Sequence, residues 1–293
     1  LFTKREKWWG YAFIAPQMIG MILFSLLPLL FAFGISFMNW DGFGERTFVG
    51  LENYIAQFQD SNFRAALRNT TIYSLIVIPG GIAAALLSAL ALNKVKGKDF
   101  YRMFFFMPVV TSSVSIAVIW MWLLNGDFGL INQVLASVGI DGPNWLTDRR
   151  FVLPSIAMLS IWWGLGTNMV IFLAGLQGIS RSYYEAAEID GASAWQKFKN
   201  ITMPLLSPTT FFVAIMTVIG SFQVFDQAYV MTQGGPGNAS YTLVLHIFDE
   251  AFTRSSFGTS TSAAMILFVI ILIFTLIQFT VSRKWVHYED NGR

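Results

Sequence analysis

Six stretches of this chain, 8–40, 69–93, 103–126, 151–180, 200–225 and 255–282, contain no Asp, Glu, Lys or Arg. Each exceeds the roughly 20 residues that a helix needs to cross a bilayer core. The expected fold is an all-α integral membrane protein with six transmembrane helices in a single transmembrane domain over 1–293. The spans are expected near 9–37, 69–92, 103–124, 152–177, 204–230 and 259–281. At 55% hydrophobic and 12% charged residues, too little polar surface remains to dissolve a globule of this size. Trp8, Trp9, Tyr101, Trp122, Trp145 and Trp285 are expected to anchor span ends at the lipid bilayer interface.

Charge between the spans sets the orientation. Lys4, Arg5, Lys7, Lys94, Lys96, Lys98, Arg102, Arg181, Lys197, Lys199, Arg283, Lys284 and Arg293 fall in one set of compartments, thirteen of the nineteen basic residues. Arg46, Arg64, Arg68, Arg149, Arg150 and Arg254 fall in the other. Cytoplasmic loops carry the excess of basic charge, so both termini and the loop after the fourth span are expected in the cytoplasm of a multi-pass cell (inner) membrane protein. Leu1 stands where an initiator Met would, so a few residues are expected to precede it. The apolar run after Lys4, Arg5 and Lys7 is too long for a signal-peptide core.

Several chemistries lack the residues they need. Without cysteine there are no disulfides, thiolate metal sites or cysteine nucleophiles. No phosphate-binding loop is present, since Gly97-Lys98-Asp99 lacks the upstream Gly. His246 and His287 stand alone in different compartments, and no span pairs two carboxylates, so neither a metal site nor hydrolytic catalysis is expected. Basic residues are scattered, which argues against nucleic acid. The chain is therefore expected to be no enzyme and to draw its energy from a partner.

The polar stretch 181–204 interrupts this pattern. In a knob expected from Tyr184 to Lys199, Glu185, Ala186, Ala187, Glu188 and Ile189 are helix-compatible, Asp190-Gly191 is a turn signal, and Ser193 is placed to cap a second helix ending at Asn200, before Pro204 opens the next span. Glu185-Ala186-Ala187, Gly191 four positions on, then Ile201 and Pro204 resemble the loop motif of membrane subunits of binding-protein-dependent ABC importers, with Met203 where that family has Leu. The resemblance implies a coupling-helix loop between helices 4 and 5 that docks on a cytoplasmic ATPase. Glu185 would make a charge contact, Ala186, Ala187 and Gly191 would permit close approach, and Ile189, Trp195 and Phe198 would supply apolar contact. It also implies a second homologous permease subunit in a heterodimer, two ATPase subunits holding ATP and Mg, and an extracytoplasmic solute-binding protein. No cofactor is expected on this chain itself.

Amides, a hydroxyl, a carboxylate and aromatics interleave from Gly220 through Ser221, Gln223, Val224 and Asp226, a pattern suited to a sugar's hydroxyls and C–H faces. Trp163, Gly164 and Thr167, with Asn168, share a helical face. The run from Phe225 to Pro236 is similar to the sugar-importer subgroup. Similarity to the maltose-type permease implies pathway roles for Ser113, Trp163, Gly164, Thr167, Gly220, Ser221 and Val224, although Ser221 and Val224 replace amides there. The same residues also suit plain helix packing. Thr111, Ser112, Ser113 and Ser115 suit either interhelical bonding or a polar pathway.

The implied function is import of a sugar or sugar derivative, with a self-sufficient carrier or channel as the alternative. Ion-coupled carriers hold ionisable groups inside their spans, and here only Asp226 enters one. A continuous helix from Pro204 would carry it roughly 33 Å, to the external edge. Pro79-Gly80-Gly81 is expected to kink or break the second span. Short external helices are expected over 130–138 and 242–252, and 48–54 reads either as an interfacial helix or as a partner contact.

Overall fold

Apolar runs fold into helices here, but not all of them as single rods. The computed structural model describes residues 3–286 apart from Lys94 and Lys96. Helix α1 (Lys4–Met21) passes through a π-helical turn, Ile22–Leu26, into α2 (Leu27–Ile35). Strands β1 (Met38–Asn39) and β2 (Thr47–Phe48) pair antiparallel, Met38 opposite Phe48. Then come α3 (Glu52–Gln59), α4 (Ser61–Asn93), α5 (Lys98–Val110), α6 (Ser113–Leu123), α7 (Leu130–Ser137) and α8 (Val152–Gly178). Helices α9 (Arg181–Ile189) and α10 (Ala194–Lys197) lead through a second π turn, Phe198–Thr202, to α11 (Met203–Leu205). The chain ends with α12 (Ser207–Phe222), α13 (Asp226–Thr232), α14 (Leu243–Phe248), a third π turn at Asp249–Thr253, and α15 (Phe257–Ser282).

Among the described residues, four helical segments are long and apolar enough to cross a membrane: Trp8–Ile35, Ser61–Asn93, Val152–Gly178 and Phe257–Ser282. Two bent pairs bring the number to six if each is one span. The third expected span is one of these, broken by 98° between Val110 and Ser113. The first half ends at Val110, two residues after Pro108, and Thr111 takes extended backbone at φ −83, ψ 144. The fifth bends by 63° at Leu206 and stops again at Gln223, so the uninterrupted helix that carried Asp226 outward does not exist. Of the kink or break expected in the second span, the break does not occur: α4 runs through Pro79 as one helix. Its Gly80 faces α8, where a Cβ would sit 2.7 Å from Ile161 Cδ1.

The chain divides into two compact units, 1–61 with 246–266 and 62–245 with 267–293. In the first, Asn53 on α3 donates to the carbonyls of Ser36 (3.0 Å) and Met38 (2.8 Å), pinning the turn after α2. Gly258 lies so close to this turn that a Cβ would be 2.0 Å from Met38 O. Gln57 donates through Nε2 to Thr259 O at 2.9 Å, which leaves its Oε1 to face His246 Nε2 at 2.9 Å.

His246 does not stand alone, as its spacing in the sequence led us to expect. Its imidazole and the carboxylates of Asp60 and Glu250 lie within 4.8 Å of one another. Glu250 also accepts from Arg254 Nη1 at 2.6 Å and from Thr259 Oγ1 at 3.0 Å, so the cluster is knitted as a hydrogen-bonded network. His287 lies outside the described residues.

Burial holds the His246 imidazole below its ordinary pKa of 6.5, against the opposing pull of Glu250 and Asp60. A histidine depressed by folding binds its proton more readily when unfolded. Its contribution to stability is therefore fully present above about pH 6.5 and declines as pH falls below that. Amide hydrogen exchange over 246–254, corrected for intrinsic rates, is expected to accelerate between pH 7.5 and 5.5, and His246→Gln is expected to flatten the response.

The second unit has two packed clusters on a common spine of α4 and α8. One gathers Tyr73 and Val77 with Ile116, Trp120, Ile156, Leu159, Val224 and Met231. The other gathers Ala85, Ala89 and Leu92 with Met169, Phe172, Leu173, Leu206 and Val213. A small residue lets α8 pack closely on α5, as suits helices with no solvent to drive them together. That residue is Gly166, since a Cβ there would lie 2.2 Å from Phe105 O on α5.

Candidate functional site

Along both spine helices the two clusters leave a gap, from Val77 to Ala85 on α4 and from Leu159 to Met169 on α8. A cavity of about 370 Å³ occupies it. Helix α4 contributes Tyr73, Val77 and Gly81; α8 contributes Ser160, Ile161, Trp163, Gly164, Thr167 and Asn168. The end of α12 and the start of α13 add Met216, Thr217, Gly220, Ser221, Gln223, Val224, Phe225, Asp226 and Gln227. Nine of the ten pathway positions named from the sequence thus share one lining; Ser113 is the exception, and it hydrogen-bonds to Asp226 Oδ2.

That bond joins the two breaks in the helices, because Ser113 opens α6 and Asp226 opens α13. Irregular backbone at membrane depth needs partners for its freed polar groups. Trp163 donates its indole N–H to Pro108 O at 3.0 Å, beside the first break, and Thr242 donates to Val224 O at 3.1 Å in the second. Trp163 therefore offers the cavity its ring and not its N–H. Ser221 is 3% exposed and its hydroxyl bonds back to Val218 O at 2.9 Å, so it shapes the wall more than it offers a free donor. The lining contains one acid, Asp226, and no Lys, Arg or His.

Sequence reasoning missed the α4 wall. Tyr73, Val77 and Gly81 recur every four residues, so they lie on one helical face, but nothing in an apolar span marked that face as lining and not core. It likewise missed Ser160 and Thr217, whose hydroxyls bond to carbonyls one turn back at 3.0 and 2.7 Å.

The loop after α8 is a pair of capped helices. Ser180 caps α9, and Ser193 with Gln196 forms a capping box on α10. Gly191, at φ +74, closes α9 in the left-handed region that favours glycine. The N–H groups of Gly191 and Ala192 return to Glu188 O (3.0 Å) and Ala187 O (2.8 Å). Lys197 Nζ meets Glu188 Oε1 at 2.7 Å, and Tyr184 Oη lies 3.0 Å from Thr202 Oγ1. Trp195 and Phe198 pack ring to ring at 5.5 Å. Glu185, Ala186, Asp190 and Gly191 are exposed, and so are two large apolar side chains, Ile189 at 88% and Trp195 at 68%.

One expectation here fails. The second helix does not stop before Pro204 but runs on to Leu205. The π turn sets Met203 N–H on Phe198 O, and the wider turn carries the helix through a proline that has no N–H to give.

The chain matches the family described as binding-protein-dependent transport system inner membrane component over residues 77–287. It is 36% identical over 293 residues to the probable ABC transporter permease protein YesP of Bacillus subtilis, covering 98% of this chain and 94% of that one. It is 34% identical over 280 residues to the arabinooligosaccharides transport system permease protein AraP of the same organism, covering 93% and 88%. Its fold follows that of a chain in the crystal structure of a bacterial alginate ABC transporter in complex with an alginate pentasaccharide-bound periplasmic protein, at a TM-score of 0.82, 23% identity and 96% coverage of both. These matches set aside a self-sufficient carrier or channel. The chain belongs to the binding-protein-dependent transport system inner membrane components, the permease subunits of ABC importers.

Proposed function

We propose that this permease subunit imports a sugar or sugar derivative, oligosaccharides foremost. The observation that carries this reading is the cavity lining, in which hydroxyls, amides and a single carboxylate alternate with the rings of Trp163 and Phe225. The name of the arabinooligosaccharide relative supports it. In this reading the two bent pairs are spans, giving six, and both termini and the Arg181 loop face the cytoplasm, supported by the basic residues counted above.

A second homologous permease would complete the pathway, and a solute-binding protein would deliver ligand from outside. The alginate neighbour, whose structure includes a periplasmic protein, supports that partner by analogy. Two ATPase subunits, holding ATP and Mg, would seat the knob formed by α9 and α10. Glu185 would meet a cation there, and Ile189 and Trp195 would bury their exposed apolar surface. Because α10 continues without a stop to the bend at Leu206, a push on the knob would reach α12, which lines the cavity.

The test is purification of the chain with its co-expressed neighbours. An ATP-hydrolysing complex, stimulated by sugar together with the binding protein, is the expected result. A chain that transports alone would overturn it.

A further inference from the structure

A second cavity, of about 440 Å³, lies at the other end of α13. The end of α6, the loop 125–147, Met231 and Thr232 of α13, and the Gly235-Pro236 turn enclose it. It shares Asn144 and Thr147 with an open groove of about 530 Å³ that continues to Arg150. No charged side chain lines the first of these spaces. The loop 125–147 joins α6 to α8 at the end of α8 opposite the Arg181 knob, hence on the external side in the reading above.

The loop is built to hold one aromatic ring still. Trp145 donates its indole N–H to Asn132 Oδ1 at 2.7 Å, and Asn132 Nδ2 is anchored on Gly126 O at 2.9 Å and Pro143 O at 3.2 Å. Phe151 packs edge-on to the ring at 6.0 Å. With its N–H committed, Trp145 offers the cavity a fixed apolar face. Polar groups surround it. Asn125 commits its side-chain oxygen to the N–H groups of Asp127 and Phe128, at 2.9 and 3.1 Å, which leaves its amide nitrogen as the donor. The side chains of Asn144 and Thr147 are exposed and make no hydrogen bond to other described residues. A rigid ring beside uncharged amides and a hydroxyl suits one neutral sugar ring: its C–H face lies on the indole and its hydroxyls bond to the amides.

Helix α13 ties this space to the membrane cavity. Asp226 and Gln227 line the first and Met231 and Thr232 the second, about 8 Å of helix apart at 1.5 Å per residue. Each space has room for a sugar ring, and the buried Leu124 and Met231 pack between the two, so a chain of rings reaches both only in a state in which that packing opens. We propose that the Trp145 cavity is a second, external saccharide subsite, which holds a trailing neutral ring of an oligosaccharide while its leading ring occupies the membrane cavity. The subsite rests on the sugar reading above and adds a selection for chain length that the membrane cavity alone does not supply.

The test uses the complete importer in proteoliposomes, with neutral gluco-, galacto-, xylo- and arabino-oligosaccharides of one to six rings as probes. Asn144→Ala with Thr147→Ala removes two exposed, internally unbonded groups, so folding is spared. The KM for ligands of three or more rings is expected to rise about tenfold, as the loss of two ordinary hydrogen bonds implies, with no change for one or two rings. Trp145→Ala, scored only after the complex is recovered intact, is expected to do the same. An equal change at every length, no change at any, or a wild type that takes up only short sugars would overturn the subsite and leave the sugar reading standing. If no probe is imported and none stimulates ATP hydrolysis, the sugar reading itself fails and the subsite with it.

Discussion

Gly191→Trp is expected to insert and fold like the wild type yet lose ATP-driven uptake by at least about tenfold, the equivalent of about 1.4 kcal/mol of lost docking. The residue sits at φ +74, and a Cβ built there meets nothing within 4 Å. Inside the chain, then, a side chain at this exposed position starts clear of its neighbours. What it costs is left-handed backbone strain, about 1–2 kcal/mol for any residue with a Cβ. Gly191→Asn separates the two effects, because asparagine tolerates this conformation and is small. Asn should retain most of the uptake and Trp should not, since only Trp projects from the knob into whatever receives it. The measurement is uptake in proteoliposomes beside the yield of ATPase that copurifies. If Trp and Asn behave alike, strain alone explains both, and the bend does not face the partner.

The knob was legible in the sequence because local chemistry writes it. Ser193 caps, Gly191 turns, and the spacing from Glu185 onward leaves few alternatives. The spans were legible as apolar runs, since length and charge are all that a bilayer asks of them. Their continuity was not. Pro79 and Gly80 looked like a kink or a break, and the helix runs through them unbroken. Thr111 and Ser112 read as interhelical bonding or a polar pathway and are a 98° turn, beside which Trp163, remote in sequence, satisfies the Pro108 carbonyl. The same holds for His246, whose partners Gln57 and Asp60 come from the far end of the chain. Where the chain bends, and which polar groups meet, was decided by tertiary hydrogen bonds that no local window contains.

Those bends also decide how the pathway is best tested. Gly220→Trp is expected to reduce uptake at least about a hundredfold, some 2.8 kcal/mol of transition-state loss, while the complex with the ATPases is recovered in full. Gly220 lies on α12, lines the cavity of about 370 Å³, and a Cβ there meets nothing within 4 Å. The new side chain therefore starts into open space at its Cβ, with the cavity beyond it. Its backbone is already helical, where replacing glycine is favourable by a few tenths to about 1 kcal/mol. Ser221→Trp, one residue on, is a poorer instrument: Ser221 is 3% exposed, and an indole in its place would overpack the core at about 1–3 kcal/mol or more. Gly164→Trp offers an independent copy of the experiment, because Gly164 lines the same cavity from α8 and its Cβ is equally unobstructed. Two plugs from different helices that both stop uptake and both spare assembly place the ligand's route through this cavity. If both variants transport with unchanged kinetics, this cavity is a packing void, and the route must run along the face that this chain shares with its partner permease.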